Sequence, residues 1–337
     1  MSRSDIRLAL PSKGVLAEET LDLLSRAGLG VYKTNPRQYM ATIPSLPGVT
    51  VLFQRAGDIA VSVHDGTVDF GITGWDMVAE KSDNGAVLPL LPELGYGFCS
   101  LNVIVPESWE RTRRMTDLPA VQAELGRPLR VATKFLKVTQ AFFEQHGLTE
   151  VQFIPAEGTL EIAPTIGYSD FIVDLVSSGV TLRDNRLRIL DDGQILQSQA
   201  TLIANRAVLQ SRPEVLTIAR QLIEFIVAHL RAIDNVAIFA NMRGETPQVI
   251  GELMFQQKVI GGLQGPTISP IITRNGGCDG SSWYAVNIIV RKDQLAQAIA
   301  ELRAIGGSGV IVNPVSYIFE EEPAEYTQML KQLQNAE

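Results

Sequence analysis

Asp170-Phe171-Ile172-Val173-Asp174-Leu175-Val176-Ser177-Ser178-Gly179-Val180-Thr181-Leu182 reads as a short apolar strand that runs into a small-residue loop and then a polar turn of helix. A near-continuous apolar run bounded in this way is expected of a strand buried on both faces, as in a parallel sheet. The loop Ser177 to Thr181 offers backbone N–H groups and three hydroxyls to a phosphate. A helix starting near Thr181 would turn its positive end to the same point. Asp174 is expected at the carboxyl end of the strand, the edge at which open α/β sheets bind ligands. A carboxylate repels phosphate but holds ribose hydroxyls or a magnesium ion, so acid and loop together point to a phosphorylated ribose.

Outward from this segment the chain alternates strand and helix, the pattern of a mainly parallel sheet. Ile6 to Leu10 is a short strand, Pro11 to Gly14 a loop, and Val15 to Ala27 an amphipathic helix closed by Gly28. Thr50 to Gln54 is a second strand, followed directly by Arg55, and Asp58 is placed to cap a helix from Ile59 to Asp65. Val68 to Gly74 forms a third strand, and Trp75-Asp76 opens a further helix. Between Pro106 and Pro119 the composition shifts to Glu, Arg, Thr and Pro, which reads as a crossing into a second α/β lobe. That lobe has strands at Leu129 to Thr133 and Val151 to Ile154, a helix from Lys137 to His146, and a short helix from Thr159 to Gly167. Ala200 to Ala204 is a strand returning to the first lobe, and Pro213 opens a long helix to about Ile233. From Val236 the order resets to βαββαβ, the ferredoxin-like arrangement, which often serves as a regulatory module. The expected division is a first lobe of residues 1–105 with 196–235, a second lobe of 106–195, and a C-terminal domain of 236–337.

Composition bounds the function. At 337 residues the chain exceeds one ordinary core and predicts two or three domains. A net charge of -8 argues against nonspecific nucleic-acid binding, which needs a surplus of Lys and Arg. No stretch approaches the ~20 apolar residues that span a bilayer. Met1 to Arg7 is polar, without the apolar run of a signal peptide, and the distant pair Cys99 and Cys278 suggests neither a disulfide framework nor a metal cluster. A reducing, cytoplasmic setting is therefore expected.

Further residues suit polyanions. Lys13 follows the first strand on a loop bounded by Gly14, so it projects from the carboxyl edge of the sheet. Arg55 occupies the equivalent place after its strand, and a guanidinium fork matches phosphate bidentately. Asp76 follows the Gly71-Ile72-Thr73-Gly74 turn, where a plain helix cap is the simpler reading. In Glu157-Gly158-Thr159-Leu160-Glu161, capping by Thr159 leaves Glu157 free to face the cleft. His64, His146 and His229 form no cluster, which disfavours histidine chemistry, and no P-loop signature occurs.

These motifs resemble those of the ATP phosphoribosyltransferases over nearly the whole chain. The likeness rests on Leu10-Pro11-Ser12-Lys13-Gly14, on Val68 to Asp76, on Glu157 to Pro164 and above all on Asp170 to Leu182. The tail from Val236 resembles the long form of that family, which carries a C-terminal, ACT-like regulatory domain. The resemblance implies two lobes like those of type II periplasmic binding proteins, with the active site in the cleft between them. It implies that adenine N1 of ATP displaces pyrophosphate from 5-phosphoribosyl 1-diphosphate, the first step of histidine biosynthesis, with magnesium carried on the pyrophosphate. It also implies dimers that can form hexamers, and feedback inhibition by histidine. Asp170 and Asp174 would be the catalytic carboxylates, holding the ribose hydroxyls and stabilising charge and not acting as an acid and base pair, and Ser177, Ser178, Gly179, Val180 and Thr181 would hold the 5-phosphate. Lys13, Gly14, Arg55, Asp76 and Glu157 would meet the pyrophosphate or ATP, and Thr267, with Asn241 second, would contact the inhibitor. Departures are Ser178 where Thr is common, Tyr168 and Ser169 where Leu and Ala are usual, and Ala56 and Ala60 where proline is frequent. The stretch Tyr32 to Val49 is longer than common, with Arg37 and Tyr39 of no evident purpose. The alternative is a non-catalytic two-lobed protein that binds or senses a small molecule.

Overall fold

The computed structural model describes residues 5–35, 38–82, 85–156, 158, 160–272 and 282–334. Strands and helices alternate from the start: β1 Ile6–Pro11, α1 Val15–Arg26, β2 Met40–Thr42, β3 Val49–Gln54, α2 Ala56–His64, β4 Phe70–Gly74, α3 Trp75–Lys81 and β5 Val87–Leu91. There follow β6 Cys99–Pro106, α4 Leu118–Leu125, β7 Leu129–Thr133, α5 Leu136–Gln145, β8 Val151–Pro155, β9 Phe171–Val176 and α6 Val180–Asp184. The chain continues through β10 Leu187–Ser198, β11 Ala200–Asn205, α7 Arg206–Ser211 and α8 Pro213–Ile233. Last come β12 Asn235–Gly244, α9 Pro247–Phe255, β13 Thr267–Pro270, β14 Ser282–Arg291, α10 Leu295–Ala304, β15 Ser308–Pro314 and α11 Ala324–Gln334.

The chain forms two compact units. One comprises residues 1–25, 29–221 and 324–337, and the other 26–28 and 222–323. The larger unit holds two sheets, ordered β2-β3-β1-β4-β11-β5 and β10-β6-β9-β7-β8. In the first sheet β1 pairs in parallel with β3 and β4, while β11 returns antiparallel to β4 and β5. Leu8, Leu10, Val51, Phe70 and Ile72 are buried in it, as an apolar strand covered on both faces requires. In the second sheet β7 is parallel to β8 and β9, and β6 runs antiparallel to β9 and β10. Its two faces carry separate cores, one built around Phe135, Phe143, Phe171 and Val173 and the other around Ile104, Leu160, Ile172 and Leu182.

Two crossings join the sheets at residues 95–100 and 197–200, where Ala200 N donates to Tyr96 O at 2.9 Å and Trp75 N to Gln199 O at 3.0 Å. A third tie is a borrowed helix cap. Phe135, the N-cap residue of α5, offers no capping side chain, and Glu80 of α3 instead accepts from the N–H groups of Lys137 and Val138, each at 3.1 Å.

The smaller unit has the sheet order β13-β14-β12-β15, every pair antiparallel. With α9 and α10 as connections it is the expected βαββαβ arrangement. Strand alternation turns Ile238, Val286 and Ile288 toward Ile250, Met254, Ala298 and Leu302.

Some expectations need correction. Cys99–Pro106, assigned to the first lobe up to residue 105, pairs with β9 and β10 in the second sheet, because an apolar strand carries no label of which sheet will bury it. Residues 324–337 belong to the larger unit and not to the C-terminal domain, and Arg206 and Gln210 donate to the carbonyls of Gln332 and Leu333 in α11. β10 falls in a stretch to which the sequence reading assigns no strand, and its Asp191-Asp192-Gly193 interrupts the apolar run. The strand instead carries a bulge there, and a Cβ at Gly193 would meet Leu190 Cβ at 2.9 Å and Val103 O at 3.1 Å. Asp58 lies in the first turn of α2 and not at its cap, which is Arg55. The short helix expected from residue 159 is a 3-10 turn, Leu160–Ile162. Thr159, Glu157, Arg37 and Cys278 fall outside the described residues.

Candidate active site

β1, β3 and β4 run in parallel and end at Pro11, Gln54 and Gly74, so Lys13, Arg55 and Asp76 follow neighbouring strand ends along one sheet edge. Lys13 and Arg55 are exposed there, and Gly14 bends the loop with φ 80°. In the second sheet the parallel strands β7 and β9 end at Thr133 and Val176, which sets Lys134 and Ser177 at its carboxyl edge. A cleft of about 780 Å³ unites the two edges, lined by Arg55, Asp76 and Lys81 on one side and by Lys134, Leu175 and Ser177 on the other. That volume suits a small molecule of nucleotide size.

The loop after β9 is built for exposure of its backbone. Ser177 and Ser178 are exposed, and Gly179, the N-cap residue of α6, has a left-handed φ of 69°. A Cβ at Gly179 would find only Val176 Cγ1, at 3.9 Å, so it is the backbone conformation and not the space that calls for glycine. Val180 and Thr181 open α6 and are exposed.

Asp174 shares a face of β9 with Ile172 and Val176, opposite Phe171, Val173 and Leu175. Burial raises its pKa above the ordinary carboxylate range; the Leu175 N–H, donating to Oδ1 at 2.8 Å, and Lys134 oppose the rise, and Glu161 adds to it. Asp76 is 5% exposed and accepts the Ser198 hydroxyl at 2.6 Å. Burial raises its pKa too, against the Ser198 hydrogen bond and Lys134. Asp76 sits in the first turn of α3, whose cap is Gly74, so it is not the plain helix cap of the simpler reading. Beside it, burial and then the Asp76 charge push the Cys99 thiol up.

Lys134, which the sequence reading passed over, lines the cleft. It acts on both Asp76 and Asp174, whose carboxyls it draws down. A signal was present: Lys134 directly follows an apolar strand, as Arg55 does.

Asp170 is not brought to the cleft. It precedes β9 at the opposite edge of the sheet, where Arg127 grips it through two bonds of 2.7 Å, and Arg130 donates from its backbone at 2.8 Å and its side chain at 3.0 Å. Burial works to raise its pKa, but these hydrogen bonds outweigh it and hold the carboxyl far below the usual range. The expectation of two acids at one ribose is corrected by length: residues four apart on a strand share a face but stand about 13 Å apart. His64, His146 and His229 bond to Asp65, the Phe142 carbonyl and the Ser316 carbonyl, respectively. In the smaller unit Thr267 and Asn241 are exposed on β13 and β12, opposite Asn287 and Ala285 of the strand between them.

Two open α/β sheets that present strand ends, a glycine-turned loop and paired charges to one cleft define a two-lobed ligand-binding protein with an added ferredoxin-like domain. Two family models match it, ATP phosphoribosyltransferase over residues 55–231 and the HisG C-terminal domain over residues 232–317. The chain is 41% identical to ATP phosphoribosyltransferase 2, chloroplastic, of Arabidopsis thaliana, over 99% of this chain and 82% of that protein. It is 35% identical to the ATP phosphoribosyltransferase of Bradyrhizobium diazoefficiens over 94% of each. Among solved structures, the ATP phosphoribosyl transferase (HisG:HisZ) complex from Thermotoga maritima aligns at a TM-score of 0.52 and 26% identity, over 66% of this chain and 98% of that one. The chain belongs to the ATP phosphoribosyltransferase family, in the form with a C-terminal domain, and its reaction is the first step of histidine biosynthesis. Among the described residues no helix is long and apolar enough to cross a membrane.

Proposed function

We infer that the cleft between the two sheets of the larger unit joins ATP to 5-phosphoribosyl 1-diphosphate through the residues at its two facing edges. The observation that carries this reading is the convergence of Arg55, Asp76, Lys134 and Ser177 on one cavity. Ser177, Ser178, Gly179, Val180 and Thr181 hold the 5-phosphate through backbone N–H groups and hydroxyls. Asp174 holds the ribose hydroxyls. Lys13 with Gly14, Arg55, Lys134 and Asp76 meet the pyrophosphate or the triphosphate of ATP, and Glu157 is a further candidate there.

Adenine N1 attacks carbon 1 of the ribose while the bond from that carbon to the pyrophosphate oxygen breaks. Neutral adenine already carries the lone pair, so no strong general base is required. Positive charge builds on the ribose as the bond lengthens, and the Asp174 carboxylate compensates it; burial raises its pKa and Lys134 offsets part of that rise. Magnesium often keeps to substrate phosphates with only one or two carboxylates, and here it would be carried on the pyrophosphate, with Asp76 the carboxylate lining the cleft beside it. When bound, it would neutralise the leaving pyrophosphate.

Finer assignments follow from the same reading. Histidine binds the smaller unit near Thr267 and Asn241 and inhibits the enzyme, and the smaller unit is accordingly the regulatory domain, ACT-like in role. The protein is a homo-oligomer, from dimer to hexamer, and works in the cytoplasm. The test is direct: the purified protein with ATP, 5-phosphoribosyl 1-diphosphate, magnesium and pyrophosphatase gives the absorbance of phosphoribosyl-ATP. Absence of that product under these conditions overturns the reading and leaves a non-catalytic binding protein in its place.

A further inference from the structure

The side of α1 that borders the cleft carries Val15, Leu16 and Glu19, and the crossing between the sheets adds Gly97 and Phe98. Positions three and four apart share one side of a helix, so these three α1 residues stand together. Val15 is 68% exposed and Phe98 63%, so this part of the wall is apolar and open. Gly97 brings the crossing against the helix: a Cβ there would stand 3.0 Å from Leu16 Cδ1.

Glu19 is the acceptor set in that wall. It is half-buried and has no hydrogen-bond or ion-pair partner among the described residues. Arg55, Lys81 and Lys134 line the same cleft, and none of them pairs with it. The Tyr96 hydroxyl is near enough for the Glu19 charge, after burial, to raise its pKa. That hydroxyl is committed elsewhere: Thr20 Oγ1 donates to the Leu16 carbonyl at 2.6 Å, so Tyr96 donates to Thr20 Oγ1, at 2.8 Å. Glu19 Oε2 is buried without a donor, and Oε1, which is not buried, is the oxygen open to the cleft. A carboxylate in an apolar wall without a donor is costly, and a ligand N–H would relieve it.

Such a wall selects a ligand part that is flat, uncharged and carries an N–H on its edge. Of the two substrates only ATP has one, the adenine ring with its 6-amino group. We propose that Glu19 is a catalytic residue that accepts a hydrogen bond from the adenine 6-amino group, with the ring lying against Val15, Leu16 and Phe98. This rests on the assignment of ATP to the cleft. The N1 lone pair stays free for attack. As N1 bonds to carbon 1 of the ribose, the bond from that carbon to pyrophosphate breaks and its electron pair leaves with the pyrophosphate. The positive charge delivered to the ring spreads over N1, C6 and the exocyclic nitrogen. The hydrogen bond to Glu19 strengthens in step with that charge, while Asp174 serves the ribose. The same bond gives specificity, because a purine that lacks the amino group leaves the carboxylate unpaired.

Purine riboside 5′-triphosphate keeps N1 and lacks only the 6-amino group, so it is the probe. In isothermal titration of the full chain, wild type should bind ATP about tenfold or more tighter than the probe. Glu19→Ala should bring the two affinities within about threefold by weakening ATP alone, whereas a merely structural role would weaken both. Single turnover with 5-phosphoribosyl 1-diphosphate and magnesium is read as pyrophosphate release. There Glu19→Gln, which keeps the shape and an acceptor but not the charge, should slow ATP about tenfold or more and the probe less than about twofold. A wild-type Tm in both variants separates lost contact from lost folding. Equal losses for ATP and the probe, or an unchanged preference for ATP in Glu19→Ala, overturn the proposal. An unchanged rate in Glu19→Gln overturns the charge compensation. If wild type binds both nucleotides and releases no pyrophosphate, the reaction assigned to the cleft fails, and the titration still decides whether Glu19 reads the amino group.

Discussion

At the scale of the residue, the two aspartates of the strand between residues 170 and 176 have opposite assignments, and exchange to asparagine separates them. Asp174→Asn should lower kcat about 100-fold, the order of loss when one group that stabilises transition-state charge is removed. Its Tm at pH 7 should hold or rise. Burial raises the Asp174 pKa, so the charged form is the one that folding disfavours, and removing that charge relieves the chain. The acid limb of the wild-type rate profile should accordingly lie above the ~3.9 of an ordinary aspartate. A kcat unchanged in Asp174→Asn would remove that residue from the site. Asp170→Asn should do the reverse, leaving kcat/KM within about twofold and lowering stability by about 2 kcal/mol, the scale of hydrogen bonds to a charged group. The Asp170 pKa is depressed by Arg127 and Arg130. Its contribution is therefore fully present above the unfolded pKa of ~3.9 and is lost as the pH falls from there toward the folded value. Thermal melts of both proteins between pH 7 and pH 3 measure it: their Tm difference should shrink on acidification. The pair was legible as two acids on one strand face, but not as one functional and one structural acid. That distinction lies in Arg127 and Arg130, 43 and 40 positions before Asp170, which meet it only because β7 pairs beside β9.

At the scale of the element, β9, its loop and α6 were readable because every part of the signal is local: an apolar run, small residues and a glycine at the turn. Gly179→Ala tests the turn. With open space around the position, its cost is the left-handed φ alone, about 1 to 2 kcal/mol. The KM for 5-phosphoribosyl 1-diphosphate should rise about tenfold with the KM for ATP changed less, since ~1.4 kcal/mol is a factor of ten in binding. Equal rises in both would mean that the loop does not hold the ribose phosphate. The cap of α5 was not readable, because Glu80 lies on another helix, 57 and 58 positions before the α5 N–H groups it accepts from. Lys134 escaped for a related reason: a lone lysine after a strand gains meaning only when Asp76 and Asp174 are seen around it. Glu80→Ala should cost about 1 to 2 kcal/mol, as loss of a helix cap does, and chemical denaturation measures it.

At the scale of the whole molecule, the order of domains was legible and their borders were not. The βαββαβ tail announces itself by strand alternation and helix periodicity, whereas the membership of a terminal helix depends on which unit it packs against. α11 belongs to the larger unit and is bonded to Arg206 and Gln210 of α7. Cutting the chain after Ile233 would therefore strip a helix from the larger unit along with the smaller one. Loss of inhibition in such a fragment could not be assigned to the smaller unit. Point substitutions in the full chain avoid the confusion. Thr267 and Asn241 are exposed on their strands, so substituting their side chains should cost little stability. Thr267→Val and Asn241→Ala should each raise the histidine concentration for half inhibition about tenfold, the loss of one hydrogen bond of ~1.4 kcal/mol. Activity without histidine, Tm and oligomer size, measured by light scattering, should stay at the wild-type values. If half inhibition is unchanged in the double substitution while histidine still inhibits, the inhibitor sits away from these two strands, and the smaller unit keeps only a structural claim on the molecule.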